Sequence, residues 1–347
     1  MEDNNYTAPD NTTVAQAESK TEEQGLPNFK DRVELEELKN NIGLIKNEIG
    51  KVIVGQAKMI DLLLTAILAD GHVLLEGAPG VAKTITAKLV ARCISADFNR
   101  VQFTPDLMPS DVLGTSVFNM KNSEFEFMPG PVFSNIVLTD EINRAPAKTQ
   151  AALFEVMEER QVTIDGKLYK MEAPYIVLAT QNPIEQEGTY KLPEAQLDRF
   201  LFKIEIPYPE LDDEVEILKR ENAYKVSKME TVDTVISKEQ LIKCQNIAKD
   251  IVVEDSLIKY IAQIVASTRN NPYLYLGASP RASIAILNAS KAYAAIRGRD
   301  FVMPEDINFV AYPVLNHRVI LTPEREMEGF STMQVVEQII KSVEVPR

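Results

Sequence analysis

The sequence predicts an α/β domain built on a five-stranded parallel sheet, followed by a small all-helical domain. Between about residues 72 and 206, short apolar segments alternate with helix-like segments, the pattern of a parallel sheet covered by helices on both faces. After residue 209 only helical periodicity remains. A glycine-rich loop separates the first apolar segment from the next helix, and it predicts a phosphate site at the end of that strand.

Composition and charge narrow the class of protein. The chain has 347 residues, of which 45% are hydrophobic and 25% charged, as in globular proteins. Its net charge of -14 disfavours a dedicated nucleic-acid binder, which needs a basic face. No segment approaches the roughly 18 to 20 apolar residues of a membrane span, and the N-terminus lacks a signal-peptide pattern. We therefore expect a cytoplasmic protein without a membrane span or a nucleic-acid partner.

The N-terminal region divides into a tail and two helices. Residues 1 to 28 carry almost no large apolar side chains, so we expect a disordered tail. Apolar residues then recur at helical spacing in residues 33 to 49 and 60 to 68. An apolar turn between these helices could pack against a flat base, and its candidate binding residues are Val54, Gly55 and Gln56.

Five short apolar segments predict the parallel sheet. They lie at residues 72–76, 100–103, 136–140, 175–180 and 202–206. In such sheets, ligands bind where the strands reach their carboxyl ends. The segments 113–127 and 161–171 are expected to be β-hairpin insertions, and the second contains Asp165 and Gly166, a pair typical of a type I′ turn.

The second domain is predicted from five helical segments. They lie at residues 211–224, 238–249, 256–270, 280–297 and 304–314. Pro207 and Pro209 mark a plausible boundary, because proline interrupts regular structure. The expected organisation is a tail at 1–28, an α/β domain at 29–208 and a helical domain at 209–347.

Residues 77 to 84 have the pattern of a phosphate-binding loop between a strand and a helix. A nucleoside triphosphate needs converging backbone N–H groups, a helix N-terminus, a lysine for the β and γ oxygens and a hydroxyl for magnesium. The loop consists of Gly77, Ala78, Pro79, Gly80, Val81, Ala82, Lys83 and Thr84. Ala82 stands where the usual pattern has glycine. Because its methyl is small and the position can be helical, we expect a phosphate still to approach closely.

A second apolar strand ends in two acids, Asp140 and Glu141. Asp140, together with Thr84, is expected to hold Mg²⁺, and Glu141 to orient and deprotonate the attacking water. Phosphoryl transfer needs little covalent help from the protein. An acid pair at this position therefore favours a hydrolase over a simple nucleotide binder.

Four other polar residues are candidates for the same chemistry. Asn182 follows the fourth parallel strand and can hydrogen-bond the γ-phosphate and the attacking water. Arg199 is expected to point toward a neighbouring subunit, as an arginine finger does. Arg281 lies in the first turn of a helix, where a cation is unfavourable, which suggests a contact with the phosphates from the helical domain. Arg144 could face a neighbouring subunit or a substrate, or cap local carbonyl groups.

In this order the motifs resemble those of an AAA+ ATPase and, more narrowly, of the MoxR family. The resemblance spans about residues 32 to 345 and is carried by residues 77–84, 102–111, 140–145, 179–183 and 277–281. It implies ATP and Mg²⁺ as cofactors, a P-loop core with Walker A and Walker B motifs, a helical lid and a homo-oligomeric, hexameric ring with ATP between subunits. It also implies hairpins facing the ring's surface or pore, a chaperone-like role toward client proteins, and a separate partner with a von Willebrand factor A domain.

Three alternative functions remain open from the sequence. They are a nucleic-acid motor of the same superfamily, a magnesium-chelatase-like insertase subunit and a nucleotide-gated scaffold with little turnover. The acidic net charge argues against the first, and the presence of Glu141 argues against the last. A chelatase subunit shares the sheet, the lid and similar insertions, so sequence alone leaves that alternative open.

Overall fold

The computed structural model describes residues 29–121, 123–182, 190, 192–223 and 227–346, with side chains described from residue 33 onward. The predicted tail at 1–28 lies outside the described residues. The helices are α1 (Phe29–Gly50), α2 (Ala57–Leu68), α3 (Lys83–Cys93), α4 (Pro109–Leu113), α5 (Ala147–Glu159), α6 (Glu194–Leu197), α7 (Leu211–Ala223), α8 (Lys238–Lys249), α9 (Asp255–Arg269), α10 (Pro280–Ile296), α11 (Pro304–Leu315), α12 (Pro323–Met327) and α13 (Thr332–Ser342). The strands are β1 (His72–Gly77), β2 (Phe98–Gln102), β3 (Gly114–Asn119), β4 (Glu124–Pro129), β5 (Ile136–Asp140), β6 (Gln161–Ile164), β7 (Lys167–Lys170), β8 (Ile176–Gln181), β9 (Phe200–Ile206), β10 (Leu274–Leu276) and β11 (Ile320–Leu321).

Five strands form one parallel sheet in the order β2, β5, β8, β1, β9. The five predicted strands are confirmed, with ends that differ by one or two residues. Strand β2 begins two residues earlier than predicted because its pairing with β5 includes Phe98 and the polar Asn99, which interrupts an apolar pattern. All strands run the same way, so their first residues lie along one end of the sheet and their last residues along the other. We call these the amino end and the carboxyl end.

The two faces of the sheet contribute to different hydrophobic clusters. Along β1, Val73 and Leu75 face the cluster that contains α1, α2 and α3, whereas Leu74 faces the cluster that contains α5. This alternation follows from the two-residue period of a strand. The predicted sheet with helices on both faces is therefore confirmed.

The helices after residue 209 share a core with the first domain. One continuous cluster of buried residues includes Leu38 of α1, Leu63 of α2, Leu178 of β8 and Ile286 of α10. Helix α10 contacts α1 and α2 as well as α8, α9 and α11. Within the described residues, the region after residue 209 is helical except for the short antiparallel pair of β10 and β11, and it is packed on the same core as the sheet.

Both predicted insertions form antiparallel hairpins, β3 with β4 and β6 with β7. Asp165 and Gly166 have φ angles of 51° and 75°, the two positive values that a type I′ turn requires. The hairpins contact each other, since the rings of Phe127 and Tyr169 lie 4.3 Å apart and Ser116 donates to Asp165. Among the described helices, none is both long and apolar enough to cross a membrane.

Candidate nucleotide-binding site

The loop between β1 and α3 lies at the carboxyl end of the sheet. Strand β1 ends at Gly77, and α3 begins at Lys83. Gly80 has a φ of 87°, and Ala82 has a φ of 64°. Ala82 is therefore left-handed, not right-handed as a continuing helix would be, and a side chain in that region costs roughly 1 to 2 kcal/mol. This conformation explains why the usual pattern has glycine there.

Lys83 and Thr84 place a cation and a hydroxyl at the start of α3. The ammonium of Lys83 donates to the carbonyl oxygens of Gly77 at 2.5 Å and Ala78 at 3.1 Å. The hydroxyl of Thr84 donates to Asp140 Oδ2 at 3.3 Å. These contacts bring the loop and the predicted metal-holding acid together, as the sequence predicted.

Asp140 is buried and is held by side chains of the two strands beside β5. Arg100 of β2 donates from Nε to Asp140 Oδ2 at 2.6 Å. Thr180 of β8 donates to Asp140 Oδ1 at 3.0 Å. Neither Arg100 nor Thr180 was predicted as a site residue, because no local sequence motif shows which strands are adjacent in the sheet.

Glu141 is held by two donors of its own chain. Its backbone is left-handed, with a φ of 56°, and its N–H donates to the Thr180 hydroxyl at 3.0 Å. Gln102 Nε2 donates to Glu141 Oε2 at 2.8 Å, and Arg144 Nε lies 3.1 Å from the same oxygen. Arg144, whose role the sequence left open, therefore pairs with Glu141 within the chain. Gln102 was missed, although it pairs in register with Asp140 across the sheet.

These groups line one cavity of about 350 Å³ at the carboxyl end. Its walls include most of the predicted phosphate and metal residues, which are Pro79, Gly80, Ala82, Lys83, Thr84, Asp140, Glu141 and Asn182. Asn182 is nearly buried there. Val81 instead packs its side chain in the hydrophobic core, so only its backbone belongs to the loop.

The donor chemistry of this cavity fits a magnesium nucleotide. A hydroxyl and a carboxylate oxygen 3.3 Å apart are hard oxygen ligands of the kind Mg²⁺ prefers. Among the described residues, no cluster of three or more His, Cys, Asp or Glu side chains forms a dedicated metal cage. Mg²⁺ usually takes one or two protein ligands and completes its shell with water and phosphate oxygens, so the small donor set is suitable.

A second cavity of about 580 Å³ lies beside the same loop. Gly77 and Ala78 line it together with Gly55 and Gln56, while Gln56 Nε2 donates to the carbonyl of Pro207 at 3.3 Å. Its other walls include Met59, Leu62, Ile204 and Pro313, which offer apolar surface. Val54 is half-buried and is not among the lining residues. The apolar turn predicted before α2 is therefore next to the phosphate loop.

Arg199 and Arg281 lie at the opposite, amino end of the sheet. Helix α5 ends at the same end of the sheet. Arg160, directly after α5, pairs at 2.8 Å with Asp70, which lies two residues before the first residue of β1. Arg281 forms a two-point ion pair with Glu158 of α5, at 2.7 and 3.3 Å. Arg199 donates to the carbonyl of Phe154 of α5 at 2.5 Å.

The position of Arg281 corrects one expectation. Strand β1 has six residues and spans about 17 Å, so Arg281 is too far from the phosphate loop of its own chain for an arginine side chain to reach it. The helix that carries Arg281 begins at the amino end because its first turn is hydrogen-bonded to the start of β9, through Ser279 and Asp198 at 3.2 Å. The hydrogen bonds to Glu158 raise the pKa of the Arg281 guanidinium above its ordinary value.

Comparisons with known proteins agree with this architecture. The family described as ATPase family associated with various cellular activities (AAA) matches residues 72–202, and the AAA lid domain matches residues 266–339. The chain is 48% identical to the uncharacterized protein YeaC of Bacillus subtilis over 90% of this chain and 97% of the relative. It is 42% identical to Chaperone MoxR1 of Mycobacterium tuberculosis over 86% and 81%.

A solved structure supports the same assignment. The crystal structure of a proposed ATPase from Cytophaga hutchinsonii is 44% identical and superposes with a TM-score of 0.85, covering 92% of this chain and 98% of that one. Since a relative that carries the MoxR name is 42% identical over 81% of its length, the chain belongs to the MoxR family of AAA+ ATPases.

Proposed function

We propose that this chain hydrolyses ATP with Mg²⁺ and that its subunits form a ring that remodels client proteins. The observation that carries the hydrolytic part is the single cavity in which Lys83, Thr84, Asp140 and Glu141 converge. A lysine for phosphate oxygens, two oxygen ligands for the metal and a second acid for the water are the groups that phosphoryl transfer needs.

The predicted site residues have distinct roles in this proposal. The backbone N–H groups of the loop and the Lys83 ammonium bind the β- and γ-phosphates. Thr84 and Asp140 hold Mg²⁺, which when bound neutralises charge that develops on the phosphate oxygens. Glu141 accepts the proton of the attacking water, and Asn182 orients that water beside the γ-phosphate. The second cavity receives the adenine base of ATP. Gly55 and Gln56 line its wall, and Val54 lies beside them.

The amino end supports an assembly of several copies. Arg199 and Arg281 lie at the end of the sheet opposite their own loop, and β1 between the two ends spans about 17 Å, so these arginines would complete the site of an adjacent subunit, Arg199 as an arginine finger. When the amino end of each copy binds the carboxyl end of the next, the copies form a closed ring if the rotation between neighbours allows it. A hexameric homo-oligomer is the assembly that we propose.

The biological role that we propose is inferred from the family to which the chain belongs. A relative named Chaperone MoxR1 supports a chaperone-like role in maturing or activating client proteins. We propose that it takes place in the cytoplasm, alongside a separate partner with a von Willebrand factor A domain. The exposed hairpin residues Phe118, Met120 and Phe125 are candidates for contact with a client.

Two substitutions separate nucleotide binding from turnover. We expect Lys83→Ala to lose ATP binding, because it removes ground-state phosphate contacts, and Glu141→Gln to keep binding but stop phosphate release. Lys88→Ala is the matched control, because Lys88 lies on the same helix and outside the cavity wall. Normal hydrolysis by Glu141→Gln would refute its assignment as the base.

A nucleotide-gated scaffold with little turnover is the second candidate. The observation that favours it is the engagement of the Glu141 carboxylate by both Gln102 and Arg144. A base that stays bonded to two donors is a poor proton acceptor. Steady-state phosphate release by the assembled parent protein decides between the candidates, since a scaffold would bind ATP and release almost no phosphate.

A further inference from the structure

A partly buried hydrogen-bonded cluster joins the start of β9 to the helical region. Its members are Asp198, Ser279 and Arg318, and we call it the Asp198 cluster. Arg318 Nε lies 2.6 Å from Asp198 Oδ1, and the Ser279 hydroxyl lies 3.2 Å from Asp198 Oδ2. One carboxylate therefore holds two segments that are distant in sequence.

Arg318 is the more deeply buried of the two charged residues in this cluster, since only 4% of its side chain is exposed. The four N–H groups other than Nε donate to backbone carbonyls, which belong to Asp198, Phe200, Leu201 and Val314, at 2.6 to 3.2 Å. Burial lowers the pKa of Arg318, and the Asp198 carboxylate opposes that shift. With every donor bonded inside the protein, Arg318 has none left for a ligand, so it acts by holding Asp198 and the start of β9.

The two candidate arginines flank the cluster. Arg199 directly follows Asp198 in the chain. Arg281 lies two residues after Ser279, and its backbone N–H donates to the Ser279 hydroxyl at 3.2 Å. The hydrogen bond between Asp198 and Ser279 is thus the link between the segments that carry Arg199 and Arg281.

We propose that Asp198 is a positioning residue, fixed by Arg318 and bonded to Ser279, that sets the spacing of Arg199 and Arg281 for one triphosphate on a neighbouring subunit. This inference rests on the proposed function, in which both arginines act between copies. Two guanidinium groups stabilise the same anion only when their separation matches it, and misplacement by about 1 Å can cost roughly 100-fold in rate.

Ser279→Asp breaks the link without removing the helix cap. Aspartate is as good an N-cap as serine, so α10 keeps its capped first turn. The new carboxylate faces that of Asp198 and repels it. Ser279→Thr keeps the hydroxyl and serves as the conservative variant. Ser331→Asp makes the same change at the N-cap of α13, where the serine bonds to Gln334 and not to Asp198.

The expected result for Ser279→Asp is a split between binding and turnover. Its affinity for ATPγS should match that of the parent, while kcat falls at least tenfold. Nucleotide-dependent assembly, followed by sedimentation velocity, should need a several-fold higher protein concentration. Ser279→Thr and Ser331→Asp should match the parent in all three measurements. Mixing Ser279→Asp with Glu141→Gln copies should restore hydrolysis above the sum of the two, because the latter supply correctly placed arginines to intact pockets.

A parental kcat for Ser279→Asp would overturn the inference, and so would an equal loss in Ser331→Asp. If Ser279→Asp unfolds at a much lower temperature than the parent, Ser279→Ala replaces it, since it removes the link without adding charge, and the same split is required. Mixing Arg199→Ala with Lys83→Ala tests the proposed function separately. Recovery in that mixture, together with parental turnover by Ser279→Asp, would refute the positioning role alone.

Discussion

The two ends of the parallel sheet carry complementary charged groups. At the carboxyl end, Lys83, Asp140 and Glu141 surround a cavity that fits a magnesium nucleotide. At the amino end, which β1 separates from the carboxyl end by about 17 Å, Arg199 and Arg281 are bonded to helix α5 of their own chain. Because these two arginines lie at the far end of the sheet from their own cavity, a contact with a nucleotide would require a second copy of the chain. The difference between the ends therefore supports an assembly-dependent ATPase.

The largest effect is expected from the removal of Arg199 at the amino end. Arg199→Ala should bind ATP normally and hydrolyse it about 10³-fold more slowly, the lower range for loss of an arginine finger. Mixing it with Lys83→Ala should recover part of the phosphate release, because an intact pocket then meets an intact arginine. No recovery, in assemblies shown to exchange subunits, would contradict action between copies.

A buried histidine at the amino end should make the stability of the protein sensitive to acid. His72 is buried there, with its ring between the Met157 carbonyl and the Val177 N–H at 3.0 Å each. Burial lowers the pKa of His72 from 6.5 to about 4, so the unfolded chain gains a proton below about pH 6.5 that the folded chain takes up only near pH 4. The free energy of unfolding therefore has its full value above pH 6.5 and falls by roughly 3 kcal/mol as the pH drops from 6.5 to 4.

His72→Gln should flatten this pH dependence, because glutamine can replace the hydrogen bonds without titrating. Urea unfolding at several pH values across the window measures it. His317, also buried and with a pKa well below its ordinary value, should leave a residual slope. An unchanged slope in His72→Gln would show that other groups cause the acid sensitivity.

A smaller effect is expected from Arg281. Charge-assisted hydrogen bonds contribute about 1.5 to 3 kcal/mol, so Arg281→Ala should lower kcat by roughly 10 to 100-fold without changing the affinity for ATP. Glu158→Gln is the matched control, since it removes the ion pair and keeps the arginine. Equal losses of turnover in both variants would mean that the pair with Glu158, and not a phosphate contact, is what matters.

The smallest effect is expected at Ala82, in the loop at the carboxyl end. Ala82→Gly should relieve a left-handed alanine, and after the greater chain entropy of glycine is included the gain in stability should be at most about 1 kcal/mol. Ala87→Gly, in the interior of α3, should lose about 1 kcal/mol instead. Denaturation midpoints measure both, and a destabilised Ala82→Gly would contradict the strain at this position.

Local patterns predicted much of the carboxyl end and little of the amino end. The loop with Lys83 and the acid pair at the end of β5 are short segments, and their residue types alone indicate phosphate and metal binding. Arg100, Gln102 and Thr180 were missed because they reach the acids from adjacent strands, and strand order depends on the whole sheet. The place of Arg281 at the amino end was not predicted for the same kind of reason, since it depends on how α10 packs against α1, α2 and the start of β9.

The core shared by α1, α2, the sheet and helices α8 to α11 has a mechanical consequence. Close-packed interiors resist gradual deformation, so a helical region built into the same core as the sheet cannot swing independently without exposing apolar side chains. Each subunit should then behave as a stiff block when ATP binds or is hydrolysed. In the proposed ring, the movement that performs work would be concentrated at the contacts between subunits.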